Sequence, residues 1–265
     1  MFFVMNKRKI YSYMVALSTV AILLTFGMAL TNHMNAQTIQ TSSYTNRLVP
    51  IYQVDRQEKQ VALSMNCAWS AEDIDLILET LQKENVRITF FMVGDWVEKY
   101  PEAVKKIADA GHEIGNHSNT HPHVNSMSYE QNRKEIQECS NKIKQITGKG
   151  TSLYRGPYGE YNDTVIKAAT AEEHKVIQWN IDTLDYKGLT GKEMIERINE
   201  KLTKGSIILM HNGTKYTAES LEMIIESIKE KGYTIVPVSE LIYSQNDEID
   251  ANGVQKLKKK DKENL

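Results

Sequence analysis

At 265 residues, 41% hydrophobic and 25% charged with a net charge of −2, the chain has the make-up of a globular protein, not a disordered or fibrous one. The near-neutral balance, with no basic stripe interleaved with aromatics, argues against nucleic acid as a partner. Two cysteines, Cys67 and Cys139, are too few for a disulfide-stapled scaffold, so the core must hold the fold.

The N-terminus carries Lys7, Arg8 and Lys9, followed by an uncharged apolar run over residues 10–30; the first acid is Asp55. A basic start before an apolar run marks an exported chain whose basic end stays inside. The run is long for a cleavable signal and close to the ~20 residues that span a bilayer. Met34 and Ala36 before Gln37 make only a poor cleavage site. Residues 1–36 are therefore expected to be a signal anchor or a signal peptide, the length favouring the anchor. Residues 37–56, rich in Gln, Thr and Ser without periodicity, read as a linker.

From 57 to 244 short apolar strands alternate with amphipathic helices. Strands are expected at 60–69, 87–94, 112–118, 151–159, 175–182, 206–213 and 233–241. Between the first two, Ile74, Ile77, Leu78 and Leu81 recur at helical spacing. Further on, Ser128 is placed to cap a long helix that Gly148 ends. Seven strands alternating with helices predict a parallel sheet covered by helices. The tail, 245–265, has balanced charge and no apolar periodicity, and is expected to be disordered.

Polar, ionisable residues cluster where these strands end: Asn66 and Cys67, His117 and His121, Arg155, Asp182 and Asp185, and His211. Parallel barrels assemble their chemistry on that rim, whereas doubly wound sheets confine it to a switch point. Polar residues after five strands favour a closed or nearly closed barrel. Within the set, His117 and His121 are four residues apart. Two imidazoles so placed either converge on one divalent metal or decorate a polar turn.

Four motifs follow one another along these ends: His117-Ser118-x-x-His121, Arg155-x-Pro157-x-Gly159, Asp182 with Asp185 and Tyr186, and Leu209-x-His211. Their order over residues 59–241 resembles the polysaccharide deacetylases, the NodB-homology domain of carbohydrate esterase family four. The resemblance implies a distorted seven-stranded (β/α) barrel and removal of acetyl groups from N-acetylated sugars of a cell-wall polysaccharide, outside the membrane. It implies His117 and His121 as metal ligands, Arg155 as brace of the catalytic carboxylate, and the backbone amide of Tyr158 as an oxyanion donor. It implies His211 as general acid, Asp182 as its orienting partner, and Leu209 and Tyr186 as pocket residues, Tyr186 standing where the family has tryptophan.

The first motif departs from the family. Ser64, Met65, Asn66, Cys67 and Ala68 stand where it has threonine, phenylalanine, two aspartates and glycine. The first aspartate would be the general base, a role a carboxamide cannot take; Asp185 is a candidate substitute. The second would be the metal's carboxylate ligand. Cys67 in its place has three readings: a thiolate completing a Cys-His-His zinc site, a small buried hydrophobe, or half of a disulfide with Cys139. His112 and His123 have no motif role and read as surface residues, and Trp69 and Trp179 read as core or rim packing. Three functions follow from these alternatives: a zinc-dependent deacetylase, a glycan-binding relative that has lost turnover, and a purely structural wall protein.

Overall fold

The computed structural model describes residues 47–258 together with 11, 14, 17–20, 23 and 25. Two units are distinguished, Met1–Arg47 and Leu48–Leu265. In the first, the described residues are exposed, and all but Arg47 are helical. No helix among the described residues is long and apolar enough to cross a membrane. The rest of the expected signal segment 1–36, and residues 37–46 of the expected linker, lie outside the described residues.

In the second unit the strands are β1 (Gln53–Val54), β2 (Gln60–Cys67), β3 (Thr89–Met92), β4 (Glu113–Asn116), β5 (Leu153–Tyr154), β6 (Lys175–Val176), β7 (Ile181–Asp182), β8 (Ile207–His211) and β9 (Thr234–Ile235). They pair in the order β6-β5-β4-β3-β2-β8-β7, every pairing parallel, and β9 lies against the start of β2. This is the expected (β/α) barrel of parallel strands, curled but with a seam between β6 and β7. In β2, alternation sorts side chains between two cores. Val61, Leu63, Met65 and Cys67 join the apolar layer beneath the helices. Ala62 joins the barrel interior with Phe91, Ile177 and Ile207. Ser64 and Asn66 share its parity and so face inward too.

The segment expected as one strand at 175–182 is two. β6 is one edge of the sheet and β7 the other, so residues 177–180 cross the seam between them. The first half bonds across to Ile51, where Ile51 N–H donates to Val176 O (2.9 Å) and Gln178 N–H to Ile51 O (2.7 Å). The second half bonds to β8, with Asn180 N–H on Ile207 O (3.2 Å) and Asn180 Oδ1 accepting from Ile207 N–H (2.8 Å). A β-prone run looks the same whether it has one neighbour or changes neighbours midway.

The domain is also wider than 57–244. Its last described residues form β10 (Asp247–Ile249) and β11 (Val254–Leu257), β11 pairing parallel with β1 and antiparallel with β10. The end of the expected linker and two stretches of the expected disordered tail are thus a small sheet. Buried Gln255 anchors it: its side-chain amide accepts from Tyr243 N–H (2.9 Å) and donates to Tyr243 O (2.8 Å) and Asp247 Oδ2 (2.6 Å). A strand held by one polar residue leaves no apolar period to read. Residues 259–265 lie outside the described residues.

Candidate active site

At the C-terminal strand ends a cleft of about 490 Å³ is lined by Asn66, His117, His121, Tyr158, Asp182, Tyr186, Leu209 and His211, together with Trp69 and Trp179. Larger clefts lie elsewhere: two, about 750 and 560 Å³, share Arg87, His112 and Glu240 beside the N-terminal ends of β3 and β4, and another, about 660 Å³, is lined by Val97, Glu138 and Lys142. They gather no motif residue, so the smaller cleft is the chemically organised one.

His117 follows β4 directly and is 2% exposed. Its Nδ1 lies 2.7 Å from Arg155 O. A carbonyl only accepts, so Nδ1 carries the proton and Nε2 keeps its lone pair. Burial, with the neighbouring His121 and Arg155, pushes His117 well below the usual histidine range, so the ring is neutral. Ser118 and His121 both hold left-handed φ, +66° and +57°. The turn is tied by Ser118 N–H on Asn116 Oδ1 (2.9 Å) and His121 N–H on Ser118 Oγ (3.1 Å). Glu135, from the helix Tyr129–Thr147, accepts from the backbone of Asn119 and Thr120 and fixes the turn from outside. The two rings end 5.0 Å apart, edge to face.

Opposite stands His211, at the end of β8. Its carboxylate partner is Asp185, not Asp182. His211 Nδ1 lies 2.8 Å from Asp185 Oδ1, while Asp185 Oδ2 accepts from His211 N–H (2.6 Å) and Thr217 Oγ1–H (2.8 Å). Leu184, in left-handed conformation (φ +56°), reverses the chain after β7 and swings Asp185 beneath β8. Asp182 remains on the wall, its Oδ1 accepting from Leu184 N–H (2.9 Å) and its carboxylate meeting the Tyr186 hydroxyl. Asp185, 2% exposed and fully engaged, is not free to serve as a substitute base. Trp69, 48% exposed at the rim, and Tyr186 flank His211, each with ring centroids 5.3 Å from it.

Between these walls Arg155 is fully buried. It donates from Nη1 to Asn66 Oδ1 (2.9 Å), and from Nη2 to Ser64 Oγ (2.9 Å) and Gln178 O (3.2 Å), and its Nε has no partner. The guanidinium carbon sits 4.0 Å over the Phe91 ring. None of its hydrogen-bond partners is a carboxylate, and burial lowers its pKa to about 9. Tyr158 follows in left-handed conformation (φ +58°) within the turn Pro157–Gly159. At Gly159 (φ +69°) a Cβ would come within 3.0 Å of the Trp179 ring, so glycine is required there on both counts.

Cys67 does not complete the histidine pair. It is fully buried in the outer apolar layer, and burial raises its thiol well above the usual range, so it is a neutral hydrophobe. Cys67 and Cys139 are both free thiols, which removes the disulfide reading. Among the described residues the group with three potential ligand atoms within 4.8 Å of one another is Glu84, Glu222 and Glu226, not Cys67, His117 and His121. That group is an ion network in which Lys83 pairs with Glu222 and Lys229 with Glu84. Two imidazoles without a third protein donor do not fit the three-ligand metal centre expected here.

His112 is half-buried where it lines the two clefts beside β3 and β4, packing edge-on against Phe90 and accepting from Ile88 N–H. His123 is exposed, stacked on Tyr158 at 4.3 Å and 2.7 Å from Glu160. Ser64, Gln178, Thr217 and Glu135 hold the site together; Ser64 stands in the first motif without a role read from it, and no motif marks the other three in the sequence.

Residues 53–177 match the family model for polysaccharide deacetylases. The chain is similar to a peptidoglycan-N-acetylglucosamine deacetylase of Bacillus cereus, 30% identical over 192 residues that cover 71% of this chain and 70% of that protein. An uncharacterized protein of Bacillus subtilis, YlxY, is 36% identical over 193 residues, covering 73% of this chain and 60% of its own length. A solved structure of a CE4 family pseudoenzyme from Bacillus anthracis superposes with a TM-score of 0.71 at 36% identity, covering 73% of this chain and 68% of that one. A mutant of that pseudoenzyme with restored enzymatic activity gives the same TM-score and identity.

Proposed function

Because the chain belongs to the polysaccharide deacetylase family, we propose that it acts outside the membrane on N-acetylated sugars of a peptidoglycan-type wall glycan, as a deacetylase with an altered first motif. The observation that supports this above all is the His211–Asp185 pair facing His117 and His121 across one cleft. In this reading His211 is the general acid. Asp185 fixes its tautomer, leaving Nε2 to deliver a proton to the departing sugar amine. The backbone amide of Tyr158 faces the developing oxyanion, and Leu209 and Tyr186 bound the acetyl group. Arg155 no longer braces a carboxylate but holds Asn66.

Relatives of this family are generally metal-dependent, and zinc is the metal that paired imidazoles would suit best. With Cys67 turned away, no step is assigned to it. Asn66 supplies no base, a loss of roughly 10²–10⁴ in rate where a positioned base normally acts. Residues 1–36 would anchor the domain to the membrane or direct its secretion.

The same two residues favour a second reading: a relative that binds the glycan in this cleft without turning it over. Acetate release from N-acetylated wall oligomers, with zinc present, separates the readings when compared with His211→Ala and run beside an oligomer-binding measurement. Release above the His211→Ala background carries the deacetylase. Binding without release carries the second reading. Neither binding nor release removes both.

A further inference from the structure

The turn that carries His117 and His121 is also held from behind, by residues that line no cleft. Asn116, at the end of β4, accepts from Ser118 N–H through Oδ1 and turns its Nδ2 to the helix Tyr129–Thr147. There Nδ2 donates to Ile136 O (2.8 Å) and to Ser140 Oγ (2.9 Å). Ser140 Oγ lies 2.8 Å from Thr151 Oγ1, which in turn lies 2.8 Å from His174 Nε2. His174 Nδ1 lies 2.5 Å from Glu172 O. An unbroken series of polar contacts thus joins the turn to a histidine just before β6. Both ends of the series are sealed from solvent: Asn116 is fully buried and His174 is 6% exposed.

The two ends fix the direction of every bond between them. Ser118 N–H only donates and Glu172 O only accepts, so His174 carries its proton on Nδ1 and its lone pair on Nε2. Ser140 accepts from Asn116, so its own hydroxyl proton passes to Thr151, and that of Thr151 passes to His174 Nε2. In the other order Ser140 reaches Nε2 directly at 3.4 Å and Thr151 donates to Ser140; the series still ends on the same lone pair. A proton on Nε2 would set donor against donor, and the last hydroxyl would lose its acceptor. Burial holds His174 below the usual histidine range and keeps that lone pair free near neutral pH. The charges facing the ring are Glu172 and Glu173 of its own loop, and Arg133 of the helix is paired with Glu172 at 2.6 Å. The helix and the segment before β5 turn hydroxyls to it, Ser140 and Thr151.

We propose that His174 is a positioning residue of the candidate site: through Thr151, Ser140 and Asn116 it holds the Ser118 turn, and with it His117 and His121, and it loosens that hold when it is protonated. The imidazole pair in the cleft is thereby coupled to a histidine on the far side of the sheet. The proposal is independent of what the cleft binds and of any metal.

The test is backbone hydrogen exchange in the full chain, with intrinsic exchange rates divided out. Ser118 N–H, buried at the end of the series, is compared with Val236 N–H, which bonds to Val61 O where β9 meets β2. Thr151→Val keeps the shape of the side chain and removes the hydroxyl link. Ser118 should then exchange roughly fivefold faster relative to Val236, the effect of one hydrogen bond on local opening. In the unaltered protein the same ratio should rise as pH falls below the usual histidine range. His174→Gln, which accepts through Oε1 but does not titrate, should keep the neutral-pH ratio and lose its pH dependence. A ratio unchanged in Thr151→Val, or a loss of protection shared equally by both amides, overturns the proposal. So does a ratio that ignores pH in the unaltered protein, or a pH dependence that persists in His174→Gln. The pH series on the unaltered protein decides even if Thr151→Val folds poorly.

Discussion

The cleft has one wall at the end of β2, where Asn66 lines it and Cys67 turns away, and another where β7 and β8 end, where His211 lines it backed by Asp185. The second is complete: carboxylate, imidazole and a supporting Thr217 are bonded in series. The first has lost both carboxylates that the family places there. The difference lies in how each wall is tied into the fold. Asp185 accepts four hydrogen bonds, from the His211 ring and backbone, Thr217 and Tyr186, so replacing it strands buried donors. Asn66 occupies nearly the volume of an aspartate and still satisfies Arg155, so the fold tolerates an exchange that removes a base. A site changes most readily at the residue whose replacement the structure least resists.

Four substitutions break or sharpen that contrast. The largest effect is expected from restoring the poorer wall. Asn66→Asp, assayed with zinc for acetate release, should raise the rate by about 10²–10⁴-fold; no gain would place the deficit at the missing metal ligand. On the intact wall, Asp185→Ala should cost about 2–4 kcal/mol in urea unfolding, and Asp182→Ala no more than about 1. Equal costs would dissolve the distinction between the two aspartates. Cys67→Ala should cost about 1 kcal/mol of packing and leave the zinc affinity of the histidine pair unchanged; a marked loss of affinity would restore the thiolate-ligand reading.

The smallest effect lies away from both walls, at His112. Burial, and secondarily Arg87, lowers its pKa from 6.5 to about 4. The unfolded chain therefore takes up a proton in that window which the native state refuses, so stability falls as pH drops from about 6.5 towards 4. His112→Gln should flatten this slope in pH-dependent unfolding, and an unchanged slope would assign it elsewhere.

The barrel and its rim were legible because they rest on periodicity and on residue types at strand ends. The pairing of His211 was not. Asp182 and Asp185 are the same residue type three apart, and the choice is made by Leu184 in a left-handed conformation that leucine does not advertise. Cys67 was open for a similar reason. Its neighbours in sequence were right for a ligand, but strand parity turns it to the helix layer with Met65 and Leu63. Ser64 and Gln178 escaped notice because they act through Arg155, and the β10–β11 sheet escaped because Gln255, a polar residue, is its anchor.

The crossing at residues 177–180 has a mechanical consequence. Because β6 and β7 share no ladder, the seam between them is closed by this link, at most roughly 18 Å from Val176 to Ile181, and by the Ile51–Ile177 and Gln53–Ser206 bridges. Trp179 and Gln178 ride on that link, one lining the cleft and the other donating to Gly159 O at 3.1 Å. Any widening of the mouth for a thick polymer therefore pulls directly on the cleft floor. The link acts as a tension member across the seam.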